Sequence, residues 1–198
     1  FNTGHVDLTR LVAVTGSEVK KPSYCKLKVG ALLTNVFAGN VSTDKNLRYI
    51  SGNALTGKQI TANGFLGAFH SQVTVIPEGD DVHEMLGWIM PRFDQFSTSH
   101  SYFSWLMGKQ DYTLDARVKG GERHMIMSNE YDRVLPMDIM PEYLIKAIIA
   151  GDIDRMEALG IYEVAPEDFA LCEFVCSSKM ELQRIVREGL DMLRREMC

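Results

Sequence analysis

The first 62 residues are divided by glycine, proline and polar residues into runs too short for the helical crossovers of a doubly wound parallel sheet. Residues 11–14 are β-prone and stop at Gly16, and residues 24–29 alternate with a period of two, as a half-buried strand does. A short helix is expected within 30–36, and a further strand over 48–51 ends at Gly52. This order of elements predicts a compact β-grasp-like domain over residues 1–62.

The middle of the chain also favours strands. Residues 71–76 alternate between apolar and polar side chains, and residues 86–90 form an apolar run that stops at Pro91. Residues 112–118 alternate again, and residues 124–127 favour a further strand. We therefore predict a β-rich segment over residues 63–135.

Helix signals dominate from residue 136 onward. Asp138 is a candidate N-cap with Pro141 in the first turn and Gly151 at the end, and Asp152 is placed to cap a second, short helix. Ser178 and Glu181 have the spacing of a capping box. Apolar residues then recur at steps of three and four, at Leu182, Ile185, Val186, Gly189, Leu190, Leu193 and Met197. Residues 136–198 thus predict a helical bundle, and the whole chain an α+β fold.

Composition narrows the functional classes. The chain has 198 residues, of which 45% are hydrophobic and 24% charged, which is ordinary globular composition. A net charge of −5 provides no basic field for nucleic acid, and no apolar stretch reaches the roughly 18–20 residues of a membrane-spanning helix. Four cysteines are too few for a disulfide scaffold and favour a reduced compartment. Because the sequence begins at Phe1, we expect a fragment of a longer protein.

Residues 52–59, GNALTGKQ, nearly match the phosphate-binding loop G-x-x-x-x-G-K-[ST]. Gln59 replaces the hydroxyl that would bind magnesium, and the residues that follow are poor helix formers. A phosphate loop must open a helix so that amide groups and the helix dipole converge on the phosphate. We therefore interpret this segment as a glycine-bounded turn.

Cys172 and Cys176 have the C-x₃-C spacing that ends a bacterial ferredoxin motif. The two preceding ligand positions are Phe169 and Pro166, neither of which can bind iron. Two thiolates cannot hold a four-iron cluster, and no further ligand pair with zinc spacing lies nearby. The pair is therefore predicted to be the remnant of a lost cluster site, with both residues now packed as small apolar side chains.

No catalytic, cofactor-binding or metal-binding set emerges from the remaining residues. The histidines are scattered, and His70 and His100, although beside serines, lack a nucleophile elbow and are predicted to be structural. The poorly patterned stretch 93–107 is rich in aromatic residues, which are enriched at protein interfaces. Phe96 and Phe103 are our candidates there for contact with a partner.

Several blocks in order carry a family resemblance. Residues 12–22 resemble the opening of a soluble-ligand-binding β-grasp (SLBB) domain, and residues 49–57 resemble the strand and turn that close it. Further matching blocks are 65–75, 133–139, 150–152 and 169–176. Together they resemble, over essentially the whole chain, the C-terminal part of the NqrA family, whose members are subunits of the Na⁺-translocating NADH:quinone reductase.

The resemblance implies a role in an enzyme complex. The family's complex oxidises NADH, reduces quinone and pumps sodium across the bacterial inner membrane, using flavins and an iron centre held elsewhere. NqrA is its peripheral part on the cytoplasmic face, and its expected partners are the other subunits, especially the membrane protein NqrB. The family also links NqrA to quinone, but no residue here matches that role. We expect this fragment to hold no cofactor, to insert in no membrane and to be inactive alone.

Two alternatives stay open from the sequence. The first is an electron-transport subunit that still binds an iron–sulfur cluster, to which the cysteine count is unfavourable. The second is a β-grasp ligand-binding module without enzymatic activity, which would normally show a secretory signal or repeated β-grasp units. Neither of those features is present in the sequence.

Overall fold

A computed structural model describes residues 4–42, 44–80, 90–97, 100 and 102–197 of the chain. The chain divides into two units, residues 1–117 and 118–198. The first unit contains a five-stranded mixed sheet, and the second contains helices around a separate core. This establishes the predicted α+β class, whereas the three-part division with boundaries after residues 62 and 135 stays a prediction.

The sheet of the first unit has the strand order β2-β1-β5-β3-β4. Its strands are β1 (Thr9–Thr15), β2 (Ser23–Lys28), β3 (Leu47–Ser51), β4 (Lys58–Ile60) and β5 (Gln72–Pro77). β1 pairs antiparallel with β2 and parallel with β5, while β3 pairs antiparallel with both β5 and β4. A short helix, α1 (Thr34–Phe37), lies between β2 and β3 in the chain.

One face of this sheet carries the core of the first unit. Inward side chains of β1 and β5 meet residues of α1 and of the connecting loops, in a cluster of Val12, Val14, Val19, Leu33, Phe37, Val41, Leu66, Val73 and Val75. Gly16 follows β1 at φ +121°, and a Cβ atom there would lie 2.0 Å from the Val75 carbonyl oxygen. The turn after β1 therefore approaches β5 as closely as only glycine permits.

The predicted strand at residues 112–118 is wrong. These residues have no strand pairing, and Leu114 and Val118 are 44% and 72% exposed. One backbone bond, from Ala116 N–H to the Pro77 carbonyl, ties the segment to the end of β5. Alternation alone does not make a strand where no continuous ladder forms and no apolar face is buried. Residues 81–89, which hold most of the strand predicted at 86–90, lie outside the described residues; in the described part of 63–135, β5 is the only strand.

The second unit contains four α-helices among its described residues. These are α2 (Pro141–Ala150), α3 (Ile153–Ala158), α4 (Ala170–Val175) and α5 (Leu182–Glu196). Short 3₁₀ helices cover Tyr131–Arg133, Ile161–Glu163 and Pro166–Phe169. The helices share one apolar core, whose largest fully buried side chains are Phe169, Leu144, Ile145, Met156, Ile161, Leu182 and Val186.

The predicted helix ends are partly right. Gly151 takes the left-handed conformation after α2, and Asp152 Oδ1 accepts a hydrogen bond from Arg155 N–H at the start of α3. Met140, and not Asp138, is the N-cap of α2. The predicted capping box is wrong as well, because Ser178 Oγ donates to the His124 carbonyl at 3.0 Å and α5 begins only after Glu181.

Candidate functional site

The two cysteines of the ferredoxin-like spacing lie in the core of the second unit. Cys172 lies within α4, Cys176 follows its last residue as the C-cap, and neither is more than 1% exposed. The Tyr131 hydroxyl lies 2.9 Å from Cys176 Sγ, and Cys172 Sγ lies 4.0 Å from the Tyr131 carbonyl oxygen. The pair thus packs with a buried tyrosine inside an apolar cluster.

Burial makes these side chains poor metal ligands. It raises the pKa of Cys172 to about 11, and burial together with the Cys176 contact raises the pKa of Tyr131. A neutral thiol does not bind iron or zinc, which take the thiolate. Phe169, in a ligand position of the ferredoxin spacing, is fully buried core. Among the residues described, no group of three or more His, Cys, Asp or Glu side chains could hold a metal ion. The residues present therefore do not fit an iron–sulfur cluster.

The segment that resembled a phosphate loop is the turn of a β-hairpin. β3 and β4 are antiparallel neighbours, and Lys58 begins β4, not a helix. Asn53 Oδ1 accepts hydrogen bonds from Leu55 N–H and Thr56 N–H, both at 2.8 Å, which closes the turn locally. The interpretation as a glycine-bounded turn is confirmed.

The aromatic stretch leaves a partly exposed apolar surface in the first unit, which we call the aromatic surface: Phe93, Phe96, Phe103 and Trp105. Phe103 and Trp105 lie on the 3₁₀ helix Phe103–Met107. The Phe93 and Phe103 ring centroids are 6.2 Å apart, and the Phe96 ring meets Tyr112 edge-on at 5.6 Å. Phe96 and Phe103 remain 39% and 48% exposed. Both candidate contact residues are thus packed on one side and accessible on the other.

A pocket of about 410 Å³ lies in the first unit, at the end of β3 and along β4. Its lining consists of Ser51, Lys58, Ile60, Thr61, Gly64, Phe65, Leu66, Gly67 and His70. Ser51 ends β3 and is 2% exposed, and its Oγ lies 2.7 Å from His70 Nδ1. Gly67 N–H donates to the same oxygen at 3.0 Å. A buried serine therefore holds the imidazole and the loop that carries it.

This pocket was not predicted from the sequence, which assigned His70 a structural role. Ser51 and His70 are 19 residues apart, and the loop that follows β4 brings them together. The available signal was a set of glycines around both residues. A Cβ at Gly67 would lie 2.6 Å from His70 Nδ1, and one at Gly52 would lie 3.4 Å from His70 Nε2.

The helices of both units are short or carry many polar residues. In the described ranges, none of them has the length and apolar composition needed to cross a bilayer.

Comparison with known proteins gives one consistent result. Residues 11–62 match a family model described as "NQRA C-terminal domain". The chain is 38% identical over 197 residues to the NqrA subunit of the Na(+)-translocating NADH-quinone reductase of Serratia proteamaculans, and equally similar to that of Rhodopirellula baltica. Each of these alignments covers 99% of this chain and 43% of the relative. The NqrA subunit of Neisseria meningitidis (serogroup C) is 36% identical, with 99% and 44% covered. The chain thus spans less than half the length of these relatives. The family resemblance is therefore confirmed: the chain is similar, over nearly its whole length, to a part of the NqrA subunit of the Na(+)-translocating NADH-quinone reductase.

Proposed function

We propose that this chain is a peripheral, cofactor-free part of NqrA that contributes to assembly and quinone reduction in a sodium-pumping NADH:quinone reductase. Similarity to NqrA over 99% of the chain carries the proposal. On this proposal the chain lies at the cytoplasmic face of the bacterial inner membrane and contacts the other subunits, especially the membrane protein NqrB. The NADH, flavins, iron centre and quinone of the complex are then handled outside this chain.

The finer fold assignment is part of the same proposal. A parallel β1–β5 pair at the centre of a mixed sheet, with α1 packed on one face through buried Phe37, supports an SLBB-type β-grasp domain. The shared apolar core of α2, α4 and α5 supports a helical bundle in the second unit. Both units would then act as folded binding surfaces within the complex.

The two alternatives receive no such support. An iron–sulfur subunit needs thiolates, whereas Cys172 is buried and its pKa is raised to about 11. The three relatives compared with this chain are all named as the NqrA subunit of the reductase, and none as a stand-alone ligand-binding module.

Attachment to the complex is proposed to use the aromatic surface. Half-exposed aromatic side chains are typical anchors of protein interfaces, where truncating a central ring often costs more than about 1 kcal/mol of binding free energy, or roughly fivefold in affinity. The net charge of −5 opposes adsorption to an anionic lipid surface, so a protein partner is favoured over lipid.

The test is co-purification of the complex from cells expressing NqrA with Phe96→Asp and Phe103→Asp. We expect the altered protein to separate from the membrane subunits, because a carboxylate placed in an apolar contact must be desolvated. Phe69→Asp is the matched control, since Phe69 is 93% exposed and lies outside the aromatic surface. Circular dichroism of the isolated chain checks folding. Full retention of the double variant, or quinone reduction by the isolated chain with NADH, would contradict the proposal.

A further inference from the structure

The pocket beside β3 and β4 is built around the His70 ring. Gly67 and Gly52 lie next to this ring, and any side chain at Gly67 would come within 2.6 Å of its Nδ1 atom. Ser51 fixes the ring through the 2.7 Å contact to Nδ1. The imidazole is therefore held in one orientation at the edge of the pocket, and not left free on the surface.

The partners of Ser51 determine the tautomer of the ring. Ser51 Oγ already accepts from Gly67 N–H, and Ser51 is buried, so its own proton needs an acceptor. Among the described residues the acceptor that the structure provides is His70 Nδ1. Ser51 thus donates to Nδ1, and the neutral ring carries its proton on Nε2 as a donor.

The rest of the lining combines donors with apolar surface. Lys58 contributes an ammonium group that makes no ion pair with a carboxylate in the described part of the chain, and Thr61 contributes a hydroxyl. Ile60, Leu66 and the 62%-exposed Phe65 supply apolar area. None of the lining residues is acidic. The pocket is largely open to solvent, and its volume of about 410 Å³ lies within the range of about 300–1,000 Å³ of small-molecule sites.

We propose that this pocket binds a small organic acid, with its carboxylate between Lys58 and His70 Nε2–H and its apolar body against Phe65 and Ile60. The two donors supply charge-assisted and neutral hydrogen bonds to the carboxylate oxygens. The absence of acidic lining residues removes the repulsion that an anion would otherwise meet. The site goes beyond the proposed part in the reductase complex and belongs to the first unit alone.

The test uses amide NMR spectra of the 198-residue chain titrated with 2-naphthoate, decanoate and the neutral analogue 2-naphthalenemethanol. We expect an acid to shift the amides of Lys58 and of residues 64–70, and the neutral analogue to bind at least about tenfold more weakly, because charge-assisted hydrogen bonds are lost. Tighter binding of 2-naphthoate than of decanoate assigns an aromatic acid, and the reverse order assigns an aliphatic one. Equal binding of the neutral analogue would overturn the proposal.

Amino-acid substitutions distinguish binding at the pocket from binding at other surfaces of the chain. Lys58→Gln and His70→Phe should each weaken the binding of the acid about tenfold, while Lys26→Gln, a lysine on β2 away from the pocket lining, should leave it unchanged. The amide spectrum of each variant shows whether it folds. If His70→Phe does not fold, Lys58→Gln alone provides the test. Shifts confined to residues 93–107, or equal loss in Lys26→Gln, would show that the pocket is not the site.

Discussion

Cys172 has the sequence spacing of a ferredoxin ligand but lies in surroundings that disfavour a thiolate. Its thiol is fully buried beside Tyr131, and burial raises its pKa to about 11 from an ordinary value of 9.0. The folded state therefore keeps the thiol proton over a pH range in which the unfolded chain releases it. This gives the residue a measurable effect on stability at alkaline pH.

We predict that the free energy of unfolding falls between pH 9 and pH 11 by about 2 kcal/mol through Cys172 alone. In that window the native state binds more protons than the unfolded state, so raising the pH favours unfolding. Urea melts at about pH 8, 9.5 and 10.5 measure the decline. Cys172→Ala removes the ionisable group and should decline less steeply. Equal slopes for both proteins would show that the thiol ionises alike in the folded and unfolded chain.

At the element scale, helix α5 makes one especially close contact with α2. Gly189 lies on its buried face, and a Cβ atom there would lie 2.9 Å from Cγ2 and 3.0 Å from Cγ1 of Ile148 on α2. Ile148 is itself 4% exposed, so its branched side chain has little room to move. The glycine thus sets how closely these two helices pack.

We predict that Gly189→Ala destabilises the chain by about 1 kcal/mol, although alanine favours a helix by a similar amount. Overpacking a buried contact costs about 1–3 kcal/mol and outweighs that gain. In an Ile148→Ala background the same substitution should become neutral or stabilising, because the obstructing atoms are gone. Thermal or urea unfolding of the four proteins gives the coupling energy. If the two substitutions changed the free energy of unfolding additively, a Cβ atom at position 189 would not contact Ile148.

Local signals in the sequence predicted the ends of helices more completely than the long-range contacts between side chains and distant parts of the chain. Gly151 and Asp152 were assigned correctly because their effects on α2 and α3 operate within four residues along the chain. Ser178 was assigned wrongly, because its hydroxyl donates a hydrogen bond to the His124 carbonyl, 54 residues away in sequence. The Ser51–His70 contact was missed for the same reason. Spacing along the chain does not reveal which loop a sheet register brings alongside a strand.

At the scale of the whole molecule, the candidate binding features and the ferredoxin-like cysteine pair belong to different units. The aromatic surface and the pocket beside β4 belong to residues 1–117, while Cys172 and Cys176 belong to the core of residues 118–198. The ferredoxin-like spacing therefore lies in a unit whose described residues pack around an apolar core. This separation leads to a prediction about cofactor content.

We predict that the purified chain stays colourless after anaerobic reconstitution with iron and sulfide. A four-iron cluster needs four thiolates, and the second unit has three cysteines in sequence, of which Cys172 and Cys176 are buried. Forming the cluster would also require breaking the Tyr131–Cys176 contact and exposing part of the core. Absorption between roughly 320 and 460 nm and bound iron per chain are the readouts. The matched control is Cys172→Ser, which should give the same featureless spectrum as the parent. A stoichiometric band that appears in the parent and is lost in this variant would show that the pair still binds iron, and the chain would then belong among electron carriers.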